Sequence, residues 1–524
     1  MESQEILKYC LRKGFLLDEE ILKLFNESLD FETSKIVIER INQYTKRKII
    51  TKSVLNENKD KLSKIFSDIP FNNKNLMETL KIKLGLSIEI SKEVGVISER
   101  EVKSSPSQMS SFSEDVKIIS MIPSISKKIE VKDFVTHFRN RFVELRKILQ
   151  ENSQLSNLVS INKIFGDKQG ISLIGMVKSK RTTSNGNIIF EIEDLTGTIR
   201  ILVNKNKPEL FEKAELITLD SVMGFKGSGN KEIVYINDII FPETILFERK
   251  KSPEEEYILF TGDVHIGSKL FLEENFLKFI DYLNGKVPDT PEVSKIKYLF
   301  IVGDLVAGVG VYPGQEKELT ILDVEEQYQK AAELLKKIRP DIKIILSPGN
   351  HDALRIMEPQ PLLDEKYAWP IYELKNIILT GNPALINLGS KKDFSGFNVL
   401  TYHGFSYHYY ANNISYLAKE KATRKPEMIM AYLLKNRHLA PTHASSLYFP
   451  SEEDSLLIKE IPDIFLSGHT HKSGVQYYNG VLIISSSSWE SKTAYEEKMG
   501  NEPDFCKVPM FNTKTRAIKI LDFE

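Results

Sequence analysis

The stretch YILFTGDVHIG, residues 257–267, decides how the second half of this chain is read. A short apolar run leads straight into a glycine-containing turn, and the turn delivers Asp263 and His265 at the run's far end. The same grammar recurs four more times. YLFIV leads to Gly303-Asp304, IKIIL to Gly349-Asn350-His351-Asp352, NVLTY to His403-Gly404, and DIFL to Gly468-His469-Thr470-His471. Helical segments such as residues 323–338 separate several of these runs, which is the pattern of βαβ units around a largely parallel sheet. In such sheets ligands gather at the carboxyl ends of the strands. All five turns are therefore expected to converge on one crevice.

The residue types at those turns suit a pair of cations. Carboxylates, imidazoles and an Asn carbonyl favour transition metals over Mg²⁺, which prefers oxygen and water. A carboxylate can bridge two ions about 3.5–4 Å apart, the separation used in two-metal hydrolysis. Gly262, Gly303, Gly349 and Gly468 permit tight turns and close approach of the backbone. Taken singly the motifs are weak: Gly-Asp after a strand is commonplace, Asn-His-Asp reads as a capped turn, and His-Thr-His as a surface loop. Together they carry weight, because five of the nine histidines fall at the ends of apolar runs beside Asp, Asn or Gly.

The blocks GDVHIG, GDL, GNHD, HG and GHTH, complete and in order, resemble the calcineurin-like metallophosphoesterases over about residues 255–490. The resemblance implies an αββα domain with two divalent transition-metal ions, Mn²⁺ ahead of Fe or Zn. It places one ion on Asp263, His265, Asp304 and His471, and the second on Asp304, Asn350, His403 and His469, with Asp304 as the bridge. It makes His351 the catalytic histidine that protonates or stabilises the leaving oxygen without binding metal. Asp352 would orient His351 or cap its turn, and Arg355 would touch phosphate or form a structural salt bridge. Tyr407, Tyr409 and Tyr410 follow His403 and either stack terminal bases or pack their loop. His408, His438 and His443 continue no strand-end pattern and carry no assignment.

Upstream the chain changes character. At 524 residues it is too long for one core. Residues 1–100 show apolar clusters at three- to five-residue intervals, Ile6-Leu7, Leu11, Leu16-Leu17, Ile21-Leu22 and Phe25, and read as a helical docking domain. Residues 101–130 hold a run of six serines between Ser104 and Ser113 and read as a flexible linker. Residues 131–250 combine a helix with a small barrel. Phe134, Val135, Phe138, Phe142, Leu145, Ile148 and Leu149 form one helical face, while Arg139, Arg141, Arg146 and Lys147 either contact DNA or form the solvated side. From about residue 170, short β-rich runs broken at Asn185-Gly186 and Thr196-Gly197 suit a barrel of the OB type. Lys178, Lys180 and Arg181 could serve a nucleic-acid groove there, or the barrel could be scaffold. Residues 251–524 form the phosphoesterase domain, making the whole a multidomain α+β protein.

Composition narrows the classes further. A hydrophobic share of 41% and a charged share of 27% are ordinary for a globular protein. The net charge of −1 excludes DNA binding by overall charge. No run approaches the ~20 apolar residues needed to cross a bilayer, and the N-terminus lacks a signal-peptide pattern. A cytoplasmic protein without membrane contact is expected. Cys10 and Cys506 are too few for a disulfide framework or a Cys-type zinc site.

A closer resemblance follows. Residues 161–241 resemble the OB domain that precedes the phosphoesterase in polymerase B-type subunits. NHDALRIMEPQP, LLKNRHLAPTH, VPMFNTKT and the block at residues 481–493 resemble the small subunits of archaeal family D DNA polymerases. That resemblance implies a 3′→5′ exonuclease which proofreads synthesis by a large catalytic subunit. The partners it implies are that subunit, single-stranded or mismatched DNA 3′ ends, and the sliding clamp through the complex. Eukaryotic B subunits share the architecture but have lost metal ligands, whereas no ligand is lost here. A non-catalytic scaffold and a free-standing phosphatase or repair nuclease are the competing readings.

Overall fold

The computed structural model describes residues 2–14, 16–17, 35, 38, 49–50, 115–121 and 128–524. Contacts divide the chain into two compact units, Met1–Pro106 and Ser107–Glu524. In the first, the helix Glu2–Lys13 buries Ile6 and Cys10, one turn apart, and leaves Lys8 and Arg12 exposed. Strands β1 (Leu16–Leu17) and β2 (Ile49–Ile50) pair in parallel. The rest of the expected helical domain, and the serine run, lie outside the described residues.

In the second unit the span expected to be linker is partly structured. Val116–Ser120 forms strand β3, which pairs antiparallel with Leu385–Leu388 of a later strand. Asp115 in front of it accepts from Tyr298 and Lys343, and Val116 is buried. A five-residue strand held by such distant partners leaves little local trace in a serine-rich neighbourhood.

Strands β4 (Lys168–Thr182), β5 (Ile188–Asp194), β6 (Gly197–Val203), β7 (Val222–Gly229) and β8 (Ile233–Ile240) close into the expected barrel, in the order β4-β5-β6-β8-β7. Alternating residues such as Phe190, Ile192, Ile201, Val203 and Phe225 fill its interior. Two of the three cations considered for a nucleic-acid groove are engaged within the barrel domain. Lys178 pairs with Glu191 at 3.0 Å, and Lys180 donates to the Glu215 and Ile217 carbonyls at the end of the helix Pro208–Glu215.

The helix Val131–Gln150 starts on a Glu130/Asp133 capping box and packs Phe142, Leu145 and Leu149 against barrel residues Ile174, Met176, Val222 and Ile240. Arg141 is not on a solvated side. It is buried, with Nε 2.6 Å from Asp454 of the phosphoesterase domain and Nη1 donating to the Pro441 carbonyl. Asp454 also receives His438 Nε2 at 2.9 Å, and His137 Nε2 lies 3.3 Å away. This cluster ties the barrel side of the molecule to the phosphoesterase side.

The phosphoesterase domain is an αββα sandwich. Its further strands are β9 (Tyr257–Thr261), β10 (Ile296–Val302), β11 (Lys343–Ser347), β12 (Ile377–Leu379), β13 (Ala384–Leu388), β14 (Phe397–Tyr402), β15 (Ile464–Ser467), β16 (Gly474–Tyr478), β17 (Val481–Ser485), β18 (Lys507–Asn512) and β19 (Ile518–Asp522). One sheet runs β12-β11-β10-β9-β18-β19 and the other β16-β17-β15-β14-β13-β3. β9 to β12 are mutually parallel, as are β14, β15 and β17; the flanking strands are antiparallel. Phe260, Phe300, Val302, Ile386, Val399 and Leu466 pack between the sheets. Helices Glu273–Leu283 and Val324–Leu335 cover the outer face of the first sheet, and Pro426–Asn436 covers the second. No described helix is long and apolar enough to cross a membrane.

Candidate metal centre

Each candidate donor leaves the carboxyl end of a parallel strand: Asp263 and His265 after β9, Asp304 after β10, Asn350 after β11, His403 after β14, His469 and His471 after β15. Strand residues bury themselves as sheet core, so the first polar positions past their ends are forced together at the sheet edges. The turns interlock. Asp263 N donates to the Gly303 carbonyl at 3.0 Å, and His265 N donates to the Asp304 carbonyl at 3.0 Å. His469 N donates to the Asp263 carboxylate at 3.0 Å. A Cβ at Gly303 would collide with the His403 ring, and one at Gly349 with the Asp304 carboxylate. Asp263, His265, Asp304, His469 and His471 all hold positive φ, between 49° and 70°, a region uncommon for non-glycine residues.

The donor atoms cluster in three overlapping groups among the described residues. Asp263, His265 and His471 have donor atoms within 4.8 Å of one another, and so do Asp304, His403 and His469. Asp304 Oδ2 lies 3.2 Å from His403 Nε2 and 3.8 Å from His265 Nε2, between the two groups. His403 Nε2 is also 3.0 Å from Asn350 Oδ1. His351 joins a third grouping with His265 and Asp304, but its Nδ1 is 2.8 Å from the Ala307 carbonyl. That contact fixes Nδ1 as the donor and leaves Nε2 as the ring nitrogen open to the cleft that His351 lines.

A cation pair suits this donor set. His265 Nε2 and His471 Nε2 face each other at 3.0 Å. His471 Nδ1 lies 3.1 Å from Glu496 Oε1, so a neutral His471 presents a bare lone pair at Nε2. His403 Nδ1 lies 3.3 Å from the Val302 carbonyl, which likewise leaves its Nε2 lone pair aimed at the Asp304 carboxylate. Acceptor thus faces acceptor at the centre, and only protons or metal ions relieve that. The electrostatics divide the histidines. Burial presses the His265 and His469 imidazoles well down towards the neutral, ligating form. At His403 and His471 burial is outweighed, by the Asp304 carboxylate and by Glu496 with Asp263, and they are lifted to about 10 and about 9, so in the absence of cations protons fill the acceptor pairs. Burial also opposes charge on Asp304, yet His403, His351 and His265 hold its carboxyl well below the usual range.

The centre opens into a cleft of ≈ 590 Å³. Tyr312 stands on the side of His351, with ring centroids 6.4 Å apart, and Phe405 and His408 stand beside His469. No described residue lining the cleft is Lys or Arg, while Glu318, Glu490 and Glu496 are there. Without cations the cleft would repel phosphate.

The open alternatives among the lesser residues now resolve. Asp352 caps its turn: its carboxylate accepts from Gly349 N at 2.9 Å, and also from Tyr328 OH at 3.2 Å, and so staples the β10 and β11 turns. It is the Ala307 carbonyl that holds His351. Arg355 donates to the Pro359 carbonyl and stacks on Phe449, outside the cleft lining. Tyr407 and Tyr410 are core residues, and Tyr409 packs at the edge of the same cluster. His408, left unassigned, lines the cleft. Glu496 gave one sequence signal, the Thr493–Glu496 capping box, but nothing in that motif points to His471.

Residues 257–473 match the calcineurin-like phosphoesterase family, and residues 171–232 match the OB-fold nucleic acid binding domain. Fold and site therefore define a calcineurin-like phosphoesterase joined to an OB-fold domain, a class that uses divalent metal ions. The chain is 39% identical over 406 residues to the DNA polymerase II small subunit of Pyrococcus furiosus, covering 76% of this chain and 64% of that one. It is 37% identical over 398 residues to the Methanothermobacter thermautotrophicus small subunit, covering 75% and 80%. With the Pyrococcus abyssi small subunit the identity is 36% over 462 residues, covering 84% and 72%. The chain belongs to the archaeal DNA polymerase II small subunit family. It spans just under two thirds of the length of the Pyrococcus furiosus relative.

Proposed function

We propose that this chain is the small subunit of a heteromeric archaeal replicative DNA polymerase and carries a two-metal 3′→5′ exonuclease that proofreads synthesis by the large subunit. The observation that carries the reading is that His265, Asp304, Asn350, His469 and His471 line one cleft with His351 and no described Lys or Arg, while the buried Asp263 and His403 lie 3.7 Å from His471 and 3.2 Å from Asp304. Asp263, His265, Asp304 and His471 would hold one ion, and Asp304, Asn350, His403 and His469 the other. The bound ions supply Lewis-acid activation of water and neutralise charge at the phosphodiester.

The chain's own residues do the rest. The Ala307 carbonyl holds His351 through Nδ1–H, so Nε2 is the ring atom left to pass a proton to the leaving 3′-oxygen. Tyr312 on one side and Phe405 with His408 on the other give a terminal base two walls to lie against. Glu496 holds His471 with Nε2 inward. With this many imidazoles as donors, Mn²⁺ should support hydrolysis far better than Mg²⁺. The test is exonuclease rate on a 3′-mismatched primer by the complex with the large subunit, with Mn²⁺ and Mg²⁺ at matched occupancy. Absence of nuclease activity with both ions bound would leave a scaffold.

A further inference from the structure

The segment after the Asn350 turn returns beneath the centre, and two buried amides on it and beside it face each other. Gln360 Nε2 donates to the Gly349 carbonyl at 3.0 Å, next to Asn350. Gln360 Oε1 accepts from Asn382 Nδ2 at 2.7 Å. Asn382 Oδ1 in turn accepts from His403 N at 2.8 Å. The backbones of Gln360 and Asn382 also exchange both hydrogen bonds, at 2.7 and 2.9 Å. Both side chains are almost wholly buried. A buried amide left without partners is costly, so each link in this chain resists breaking.

We propose that Gln360 and Asn382 act as a bracket that sets the distance between the Asn350 and His403 turns, and so position one of the two metals rather than both. The inference rests on the two-metal reading above. Its selectivity follows from where the bonds go: Gly349 and His403 flank or supply donors of the Asn350/His403/His469 group. No bond of the bracket reaches the β9 turn or His471, which belong to the other group. These are positioning residues, since neither side chain is among those lining the cleft.

The experiment is an equilibrium Mn²⁺ titration of the full chain, with electron paramagnetic resonance distinguishing a spin-coupled Mn²⁺ pair from an isolated ion. Wild type, Gln360→Met and the milder Gln360→Glu are compared. Gln360→Met keeps the shape of the side chain and loses its hydrogen bonds to Gly349 and Asn382, with a longer one to the Arg355 carbonyl at 3.4 Å, while the backbone bridge remains. We expect one ion bound as in wild type, the other weakened about 10–100-fold, the usual effect of removing an outer hydrogen bond to a ligand, and the coupled signal replaced by an isolated one. Gln360→Glu, which keeps the bond from Asn382, should fall between. Equal weakening of both ions, or of neither, in both variants overturns the bracket. A wild-type chain that binds fewer than two ions overturns the two-metal reading itself, a result the wild-type titration shows before any variant is made.

Discussion

Replacing Arg141 with methionine tests the junction between the barrel side and the phosphoesterase side. Arg141 and Asp454 are 1% and 0% exposed, with Nε 2.6 Å from the carboxylate. Removing one member of a buried pair costs about 3–5 kcal/mol, because the other charge stays behind without compensation. Methionine fills much of the space, so a packing loss adds little and the deficit reports the charge. Burial, followed by Arg141 among other causes, holds His137 low, and His438 is held down to about 4. For a histidine depressed in the folded state, the unfolded chain binds more protons below about pH 6.5, so wild type loses stability as pH falls. Without Arg141, His137 is released upwards and its Nε2, 3.3 Å from Asp454, can carry the missing positive charge. The deficit should therefore be about 3–5 kcal/mol at pH 8 and shrink clearly by pH 5.5, measured by urea unfolding of both proteins at both pH values. A deficit below about 1 kcal/mol, or one equal at the two pH values, would refute the reasoning.

Three further outcomes are expected. Asp304→Ala should lose both metals and nuclease activity together, because Asp304 lies between the two donor groups; metal analysis showing near-stoichiometric retention of two ions would remove it as the bridge. His351→Ala should keep metal content and fold yet slow exonuclease turnover by ~10²–10⁴, while polymerisation by the large subunit persists; lost metal would make His351 a ligand. Burial lifts the Glu358 carboxyl from 4.5 to about 7, with Tyr402 and Ser446 as its partners. A raised carboxyl favours folding below about pH 4.5 and loses that contribution as pH rises through 7. At about 1.4 kcal/mol per pH unit, Glu358→Gln should be more stable than wild type by up to roughly 3 kcal/mol at pH 8, and the gap should narrow at pH 5. A gap that is constant with pH counts against a buried titrating group.

The donors were legible because each is a local event, a polar residue one to five positions past an apolar strand, and the strand ends do the assembling. The barrel and the parallel strands of the phosphoesterase domain were legible for the same reason, since their periods and turn signals are short-range. The two-sheet αββα sandwich, by contrast, came from the family resemblance and not from the pattern itself. What escaped was held by distant partners. Arg141 reads as one more charge on an amphipathic helix, and its partner Asp454 lies 313 residues away. Strand β3 exists because β13 offers it an edge. Asp352 left two readings open, orienting His351 or capping its turn, and the sequence does not show the Tyr328 hydroxyl that accompanies Gly349 N on its carboxylate; Glu496 meets His471 only through the fold.

Five of the expected ligands sit in left-handed backbone, and that has a consequence for the lineage as well as the molecule. Each such residue costs about 1 kcal/mol or more relative to glycine. Five together approach the whole stability margin of an ordinary domain, about 5–15 kcal/mol. While the centre is under selection that strain persists; once it is not, glycine or asparagine at any of the five positions relieves it at no loss to the strands, whose cores lie elsewhere. A descendant that kept only its place in an assembly would shed these aspartates and histidines early, by gaining stability, and keep its sandwich long after its chemistry had gone.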